Sequence, residues 1–316
     1  MDNVIGIDIG YGQTKTFNST GAKRFPTTVT SRVPEETFGK VSPIEINGEK
    51  FLVGDDAISK WVIDTRTAGF LGSNAWIAPL GLSLILNGLK PEDVKKGQIV
   101  LGIPPGDYTK DMARKIINIV RTSAIAQNGS TYDLRGTDVT VIPQGAGIYF
   151  AYIFGSLVGA EGNKNIAVVD VGHHTIDMVF FARGKYIEDA TNSIPMGVSL
   201  LLDDICSVFK RQHKYSINHQ TAEKLLANGE ITILQDVYRL EQIPSLLRAY
   251  ADKVSSLIDK FFESLPEKPD IGIAGGGGVL ALKGNMKLRH KFYIVPDPVA
   301  ANARGYYHYG TRRKAE

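Results

Sequence analysis

A short apolar run that ends in Asp-x-Gly occurs twice in this chain, about half its length apart: Val4-Ile-Gly-Ile-Asp8-Ile-Gly10 and Ile166-Ala-Val-Val-Asp170-Val-Gly172. Both runs read as buried strands, and a second strand-like segment follows each, through Lys15 and Phe17 in the first case and over 175–181 in the second. One Asp-x-Gly tripeptide is an ordinary turn signal. Two in matching contexts point to duplicated halves that face each other, and 316 residues are enough for two domains.

Strands and helices are interspersed along the rest of the chain. Residues 99–103 read as a buried strand stopped by Pro104-Pro105, and residues 137–142 as another ended by Pro143. Helical spacing covers 110–126, with Met112, Ile116, Ile119 and Val120 on one side. Helices are also expected after Gln144 and over 198–213, 220–227 and 241–264, with a strand around 185–193. A last buried strand, 270–274, runs into four glycines, Gly275 to Gly278, and Asp297-Pro298 reads as an N-cap and N1 pair opening the final element. The pattern predicts an α/β architecture of sheets covered by helices.

Composition removes several function classes. The chain is 43% apolar and 22% charged, as ordinary globular proteins are, and its net charge of +3 gives no sign of a nucleic-acid coat. The closing Thr311-Arg312-Arg313-Lys314 reads as a solvated, frayed end. A single cysteine, Cys206, excludes an internal disulfide and a cysteine-built metal cage, and its apolar helical surroundings predict a buried structural thiol. The longest apolar stretch, 145–160, is too short and glycine-rich to span a bilayer, and no leader-like segment precedes the strand at Val4. A cytoplasmic protein with no membrane span is expected.

The two turns have the chemistry a polyphosphate needs. Gly10 and Gly12 let the backbone approach an anion, and Thr14 and Lys15 add a hydroxyl and a positive charge. Gly172, His173, His174 and Thr175 present amides and a hydroxyl from the other side, while Asp8 and Asp170 face the same space. Such an acid pair suits Mg²⁺, which keeps most of its waters and needs few direct protein ligands. Gly275, Gly276 and Gly277, directly after a buried strand, allow the close approach that a flat base or ribose requires. Gln144 is too weak a base to take a proton, but it can orient a water for in-line attack on a γ-phosphate; on its own it is only an exposed residue at a helix entrance.

Other motifs fail. There is no G-x-x-x-x-G-K-[ST] loop and no H-E-x-x-H helix, and Lys15 stands where a dinucleotide fingerprint needs its third glycine. The neighbours His173 and His174 point apart on a turn and lack an evident third ligand, which argues against a metal site.

Five segments in order resemble the actin superfamily. Asp8-Ile-Gly10-Tyr-Gly12-Gln13-Thr14-Lys15 is similar to its first phosphate motif and Asp170-Val-Gly172-His173-His174-Thr175-Ile-Asp177 to its second. Ile271-Gly-Ile-Ala-Gly275-Gly276-Gly277-Gly278 resembles the adenosine motif; Ile142-Pro-Gln144-Gly-Ala-Gly147 and Asp297-Pro-Val-Ala-Ala-Asn-Ala-Arg-Gly305 resemble the two hinge helices. Leu101-Gly-Ile-Pro-Pro105 and Pro195-Met-Gly197-Val look most like bacterial and archaeal actin-like proteins of the ParM/StbA plasmid-segregating type. The resemblance implies an actin-like, ribonuclease H-like duplicated fold, with residues 1–162 plus 297–316 as one domain and 163–296 as the other. It implies ATP, or another nucleoside triphosphate, with Mg²⁺ served by Asp8 and Asp170. Lys15 and Thr175, with Gln13 in the same turn, would then meet phosphates, Gln144 would hold the attacking water, and Glu223 and Lys224 would border the base and ribose. The family commonly has a small residue where this chain has His174, which bears on the fit to a γ-phosphate.

Three functions fit that fold. A filament-forming ATPase is expected first; it would self-associate head to tail and, in plasmid segregation, work through a DNA-binding adaptor rather than bind nucleic acid directly. The alternative is a small-molecule, sugar-type kinase, which needs a carboxylate base where this chain has Gln144. A DnaK-type chaperone would need a substrate-binding domain after the last hinge helix.

Overall fold

The computed structural model describes residues 3–34, 41–57, 61–67, 69–155 and 161–315. Two sheets carry the architecture, and they repeat one topology. In the first, strand Val4–Ile9 pairs antiparallel with Gln13–Asn18, which pairs with Gly21–Pro26; on its other side lie the parallel strands Gln98–Ile103 and Asp138–Pro143. In the second, Ile166–Val171 pairs antiparallel with Ile176–Ala182, which pairs with Lys185–Tyr186; on its other side lie the parallel strands Ile271–Gly275 and Phe292–Ile294. Both sheets therefore run third-second-first-fourth-fifth in chain order, and the duplication heard in the sequence is a duplication of sheet topology.

Alternation along the central strands sorts side chains to two cores. Ile5, Ile7 and Ile9 join one cluster with Ile99, Leu101 and the helices Asn74–Leu86 and Lys110–Thr122; Ala167, Val169 and Val171 join a second with helices Ser199–His213 and Ile243–Ser264. A third cluster lies between the sheets, where Val100, Ile142, Val168 and Ile273 meet Ile148, Tyr149, Ala301 and Tyr306. Helix Ala301–Ala315 packs on the first sheet, helix Ala146–Gly155 on the second, and the two helices pack on each other. Central strands buried on both faces are continuous apolar runs rather than alternating ones, as in parallel sheets.

Several boundaries differ from the sequence reading. The helix expected over 110–126 stops at Thr122, because residues 124–127 leave it to pair with the strands at 44–46 and 130–133. Residues 185–193 are two short strands split by a single 3₁₀ turn, Glu188–Ala190. Asp297 does not cap a helix: it takes φ +42° and accepts from the Ala300 amide in a turn, and the helix begins at Ala301. Nor is the basic tail frayed, since Arg313 Nη1 donates to Thr140 Oγ1 at 2.9 Å and Arg312 lies 4.0 Å from the Phe154 ring centre. Cys206 is half-buried rather than buried. Of the apolar stretch 145–160, helix Ala146–Gly155 is described and 156–160 lie outside the described residues. Among the described residues no helix is long and apolar enough to cross a membrane.

Candidate functional site

The two matched hairpins meet across a cleft of about 1270 Å³. In the first hairpin Asp8 pairs with Lys15 and Ile9 with Thr14; in the second Asp170 pairs with Asp177 and Val171 with Ile176. Each aspartate holds the penultimate position of its central strand, with the turn glycine two residues on. The turns touch: a Cβ on Gly12 would come within 2.8 Å of His173 Cγ, and the Tyr11 ring meets His174 edge-on at 5.3 Å. At Gly10 a Cβ would come within 2.9 Å of the Gln13 carbonyl oxygen, a backbone atom that cannot swing aside, and 3.0 Å from Lys15 Nζ.

The second turn is tied back from behind. The amides of Gly197, Val198 and Ser199 donate to the carbonyls of His174, Gly172 and His173 at 2.9, 3.1 and 2.7 Å. A Cβ on Gly197 would overlap the His173 carbonyl, which explains a glycine there. His174 Nδ1 lies 3.0 Å from Ser199 Oγ. With its carbonyls committed to the start of helix Ser199–His213, the turn keeps the amides of His173, His174 and Thr175 free of backbone partners among the described residues. Adjacent free amides on a turn are an anion-receiving arrangement.

The floor of the cleft is acidic and internally connected. Asp8 accepts from Gln144 Nε2 at 2.9 Å and faces Lys15 Nζ at 3.3 Å. Asp170 accepts from Asn302 Nδ2 at 2.6 Å, and Asn302 Oδ1 accepts from the Gly145 amide at 3.0 Å. The peptide between Gln144 and Gly145 thus links the two aspartates through side chains of both interlayer helices' entrances. Burial, then the charges of Asp177 and Asp8, pushes Asp170 up to about 7. Burial also pushes Asp177 up to about 6, against the hydrogen bonds it accepts from Ser193 and Thr175. Three buried carboxylates share a site with one nearby lysine, which is an electrostatic environment short of positive charge. At the mouth, burial first and neighbouring positive charges second push His173 and His174 down to about 4, so both rings are neutral near pH 7.

The remaining walls come from the glycine run and two helices. Gly276, Gly277 and Gly278 line the cleft together with Glu223, Leu226, Ala227 and Leu247. Gly276 has φ +85°, and a Cβ there would overlap Asp170 Oδ1; around Gly277 a Cβ would meet nothing within 4 Å.

Of the residues singled out in the sequence, Asp8, Gly10, Gly12, Gln13, Lys15, Gln144, Asp170, Gly172, His173, His174, Thr175, Glu223, Gly276 and Gly277 line this cleft. Three do not. Thr14 is fully buried, its hydroxyl 2.8 Å from Thr27 Oγ1 on the inner face of the hairpin. Gly275 faces inward, where a Cβ would press on Ile148 at 2.6 Å. Lys224 is exposed outside the cleft wall while its neighbour Glu223 turns in. The structure adds Asn302, Asp177 and Gly197, each inside one of the motif segments; a polar Asn in a run of alanines is the available signal for the first.

Two sheets of one topology, joined by paired helices over an acidic cleft with a hairpin from each side, define the duplicated ribonuclease H-like class of two-lobed proteins. Within that class the chain belongs to the actin-like proteins: a model for the N-terminal domain of actin like proteins matches residues 6–147, and one for the C-terminal domain of archaeal actin homologues of MreB-like type matches 168–288. Among solved structures it is similar to an archaeal actin homolog, Ta0583, at 19% identity and TM-score 0.79, over 98% of this chain and 99% of that one. A 15-stranded ParM filament from Clostridium botulinum aligns at 19% identity and TM-score 0.78, over 99% of this chain and 100% of that one. Bacillus thuringiensis ParM with ATP aligns at 16% identity and TM-score 0.69 over the whole of both chains. No curated protein sequence matches.

Proposed function

We propose that the chain binds Mg-ATP in this cleft, hydrolyses it to ADP and phosphate, and polymerises into dynamic filaments in the cytoplasm, for plasmid or DNA segregation or for cytoskeletal organisation. The observation that carries the reading is the pair of opposed turns, the second with free amides, each rooted in a buried aspartate, with Gln144 held on one of these aspartates. Among the structural neighbours, Ta0583 has been solved in complex with ADP, Bacillus thuringiensis ParM with ATP, and a Clostridium botulinum ParM as a filament. The lobes are 1–162 plus 297–316 and 163–296.

The residues present fit Mg²⁺. The donors are hard carboxylate oxygens in a site short of positive charge, and Asp170 is destabilised as an anion until a cation reaches it. Among the described residues no three His, Cys, Asp or Glu side chains form a ready-made metal cage, so an ion here takes most of its ligands from water and phosphate, as Mg²⁺ does. When bound, the ion neutralises charge on the phosphates. The chain's own part is positional: the free amides of the second turn, the glycine turn opposite it and Lys15 hold the phosphates, Asn302 and Gly276 fix the Asp170 carboxylate, and Gln144 orients a water. Open, head-to-tail assembly of identical subunits needs no special motif, and in plasmid segregation a separate DNA-binding adaptor would link filament to cargo.

Right-angle light scattering with parallel phosphate release is the test. Adding Mg-ATP to purified protein is expected to raise scattering, which decays as phosphate accumulates, and Asp170→Ala is expected to abolish both. A flat trace well above micromolar protein would overturn the filament part of the reading, and phosphate release only with an added acceptor would move it to a kinase.

A further inference from the structure

Tyr306, on the helix Ala301–Ala315, is fully buried, and its hydroxyl has no hydrogen-bond partner among the described residues. Three glycines from three elements make room for it. A Cβ on Gly102 would overlap the hydroxyl itself, one on Gly147 would come within 2.5 Å of the ring, and one on Gly6 within 2.9 Å of Tyr306 Cβ. Phenylalanine fills the same slot without an orphaned hydroxyl, and an unpartnered buried donor is costly to keep. A slot so shaped around a hydroxyl raises the question of which acceptor it serves.

Strand register says where that partner is. Gly102 pairs with Ile142 and follows Leu101, which pairs with Ile7; it therefore stands at the level of Asp8, two residues short of Gln144 on the neighbouring strand. Alternation puts Asp8 on the same sheet face as Gly6, the face that carries Tyr306. Burial, and after it the charges of Asp8, Asp170 and Asp177, keeps the phenol protonated and hence a donor. Asp8 is 4% exposed, with one oxygen on Gln144 Nε2 and the other on Lys15 Nζ. The Gln144 amide that bonds Asp8 here is the same group assigned above to orient a water.

We propose that the Tyr306 hydroxyl is a positioning donor for Asp8, taking up its carboxylate, directly or through one buried water, when the Gln144 side chain leaves it. The occasion for that departure rests on the hydrolytic function proposed above; the exchange of donors does not, and it is testable without nucleotide. Gln144 and Tyr306 then act on Asp8 in alternation, which holds the carboxylate still while the glutamine works.

A double-mutant cycle in the nucleotide-free protein decides it. Tyr306→Phe alone is expected to leave the melting temperature equal or slightly higher. In a Gln144→Leu background, where Tyr306 is the buried donor left to that oxygen, the same change is expected to lower it by about 2–4 °C. An equal effect in both backgrounds overturns the proposal. With Mg-ATP, Tyr306→Phe is expected to cut kcat about tenfold, with KM nearly unchanged; an unchanged kcat in an enzyme that turns over overturns the exchange. If the unmodified protein releases no phosphate at all, the hydrolytic reading fails and the nucleotide-free cycle still decides this one.

Discussion

Asp170 is the residue whose energetics the cleft distorts most visibly, and the distortion has a sign. Its folded-state pKa of about 7 lies above the ordinary value of 3.8, so the fold favours the protonated acid. The stability this contributes is fully present below about pH 4 and lost as pH rises through about 7. Asp177, at about 6, loses its share over a lower and narrower range. His173 and His174 act oppositely: lowered from 6.5 to about 4, they contribute stability above pH 6.5 that is lost as pH falls through about 4. Between these values the two pairs partly cancel, and at pH 8 only the carboxylate cost remains. Asp170→Asn, which keeps the shape and still accepts from Asn302, is therefore expected to raise the nucleotide-free melting point at pH 8, by a free energy of about 1–4 kcal/mol. The gap is expected to close toward pH 5. Melting curves of both proteins at the two pH values check this, and a variant less stable than its parent at pH 8 would mean that the buried charge is already compensated. In Mg-ATP the order is expected to reverse, because only the carboxylate gains from the cation.

At the scale of elements, the second hairpin depends on a segment outside both turns. Residues 197–199 hold its carbonyls, and a Cβ on Gly197 would overlap the His173 carbonyl, a backbone atom that moves only with the whole turn. Gly197→Ala is expected to weaken Mg-ADP binding at least about tenfold, or about 1.4 kcal/mol, while the nucleotide-free protein still melts cooperatively. Titration calorimetry checks it; unchanged affinity would detach the turn's shape from its ligand. The same hairpins show why parts of the site were legible in the sequence. Asp8 and Asp170 announce themselves because a charge at the exit of an apolar strand breaks a strong pattern twice. Thr14 was misplaced although period-two alternation decides it: in strand Gln13–Asn18, Gln13 is exposed and Lys15 half-exposed, while Thr14, Thr16 and Asn18 are buried. Lys224 fails similarly, since on a helix only Glu223 of the pair turns toward the cleft. Helix Asn74–Leu86 left no amphipathic signal because it is buried nearly all round, with Pro79 inside it. The small sheet joins a local hairpin, 44–46 with 49–53, to strand 124–127 far along the chain, and it is that second pairing which no local pattern encodes.

The whole molecule is held at the crossing of the two interlayer helices, and there the fold and the site become one problem. A Cβ on Gly305 would overlap the Gly147 carbonyl, and one on Gly147 would come within 2.6 Å of Asn302 backbone atoms, so the helices approach backbone to backbone. Asn302 lies one turn before Gly305 and spans from the Gly145 amide to Asp170, which places the link between the lobes' aspartates directly on this crossing. A methyl at Gly305 cannot be absorbed by a flexible side chain, because what it meets is main chain. Gly305→Ala is thus expected to cost about 1–3 kcal/mol of stability by overpacking. Spreading the helices also draws Asn302 away from Asp170, so the variant is expected to lose most of the rise in melting temperature that Mg-ATP gives the parent. Gly155→Ala, at the exposed end of one of the same helices with, among the described residues, only His308 Nε2 at 3.8 Å from the new carbon, separates a general effect of adding a methyl from the effect of the crossing. It is expected to melt like the parent, or slightly above it, and to respond fully to nucleotide. Were Gly305→Ala destabilised yet still fully responsive to Mg-ATP, the crossing would be packing alone, and the two hairpins would have to communicate through the nucleotide itself rather than through Asn302.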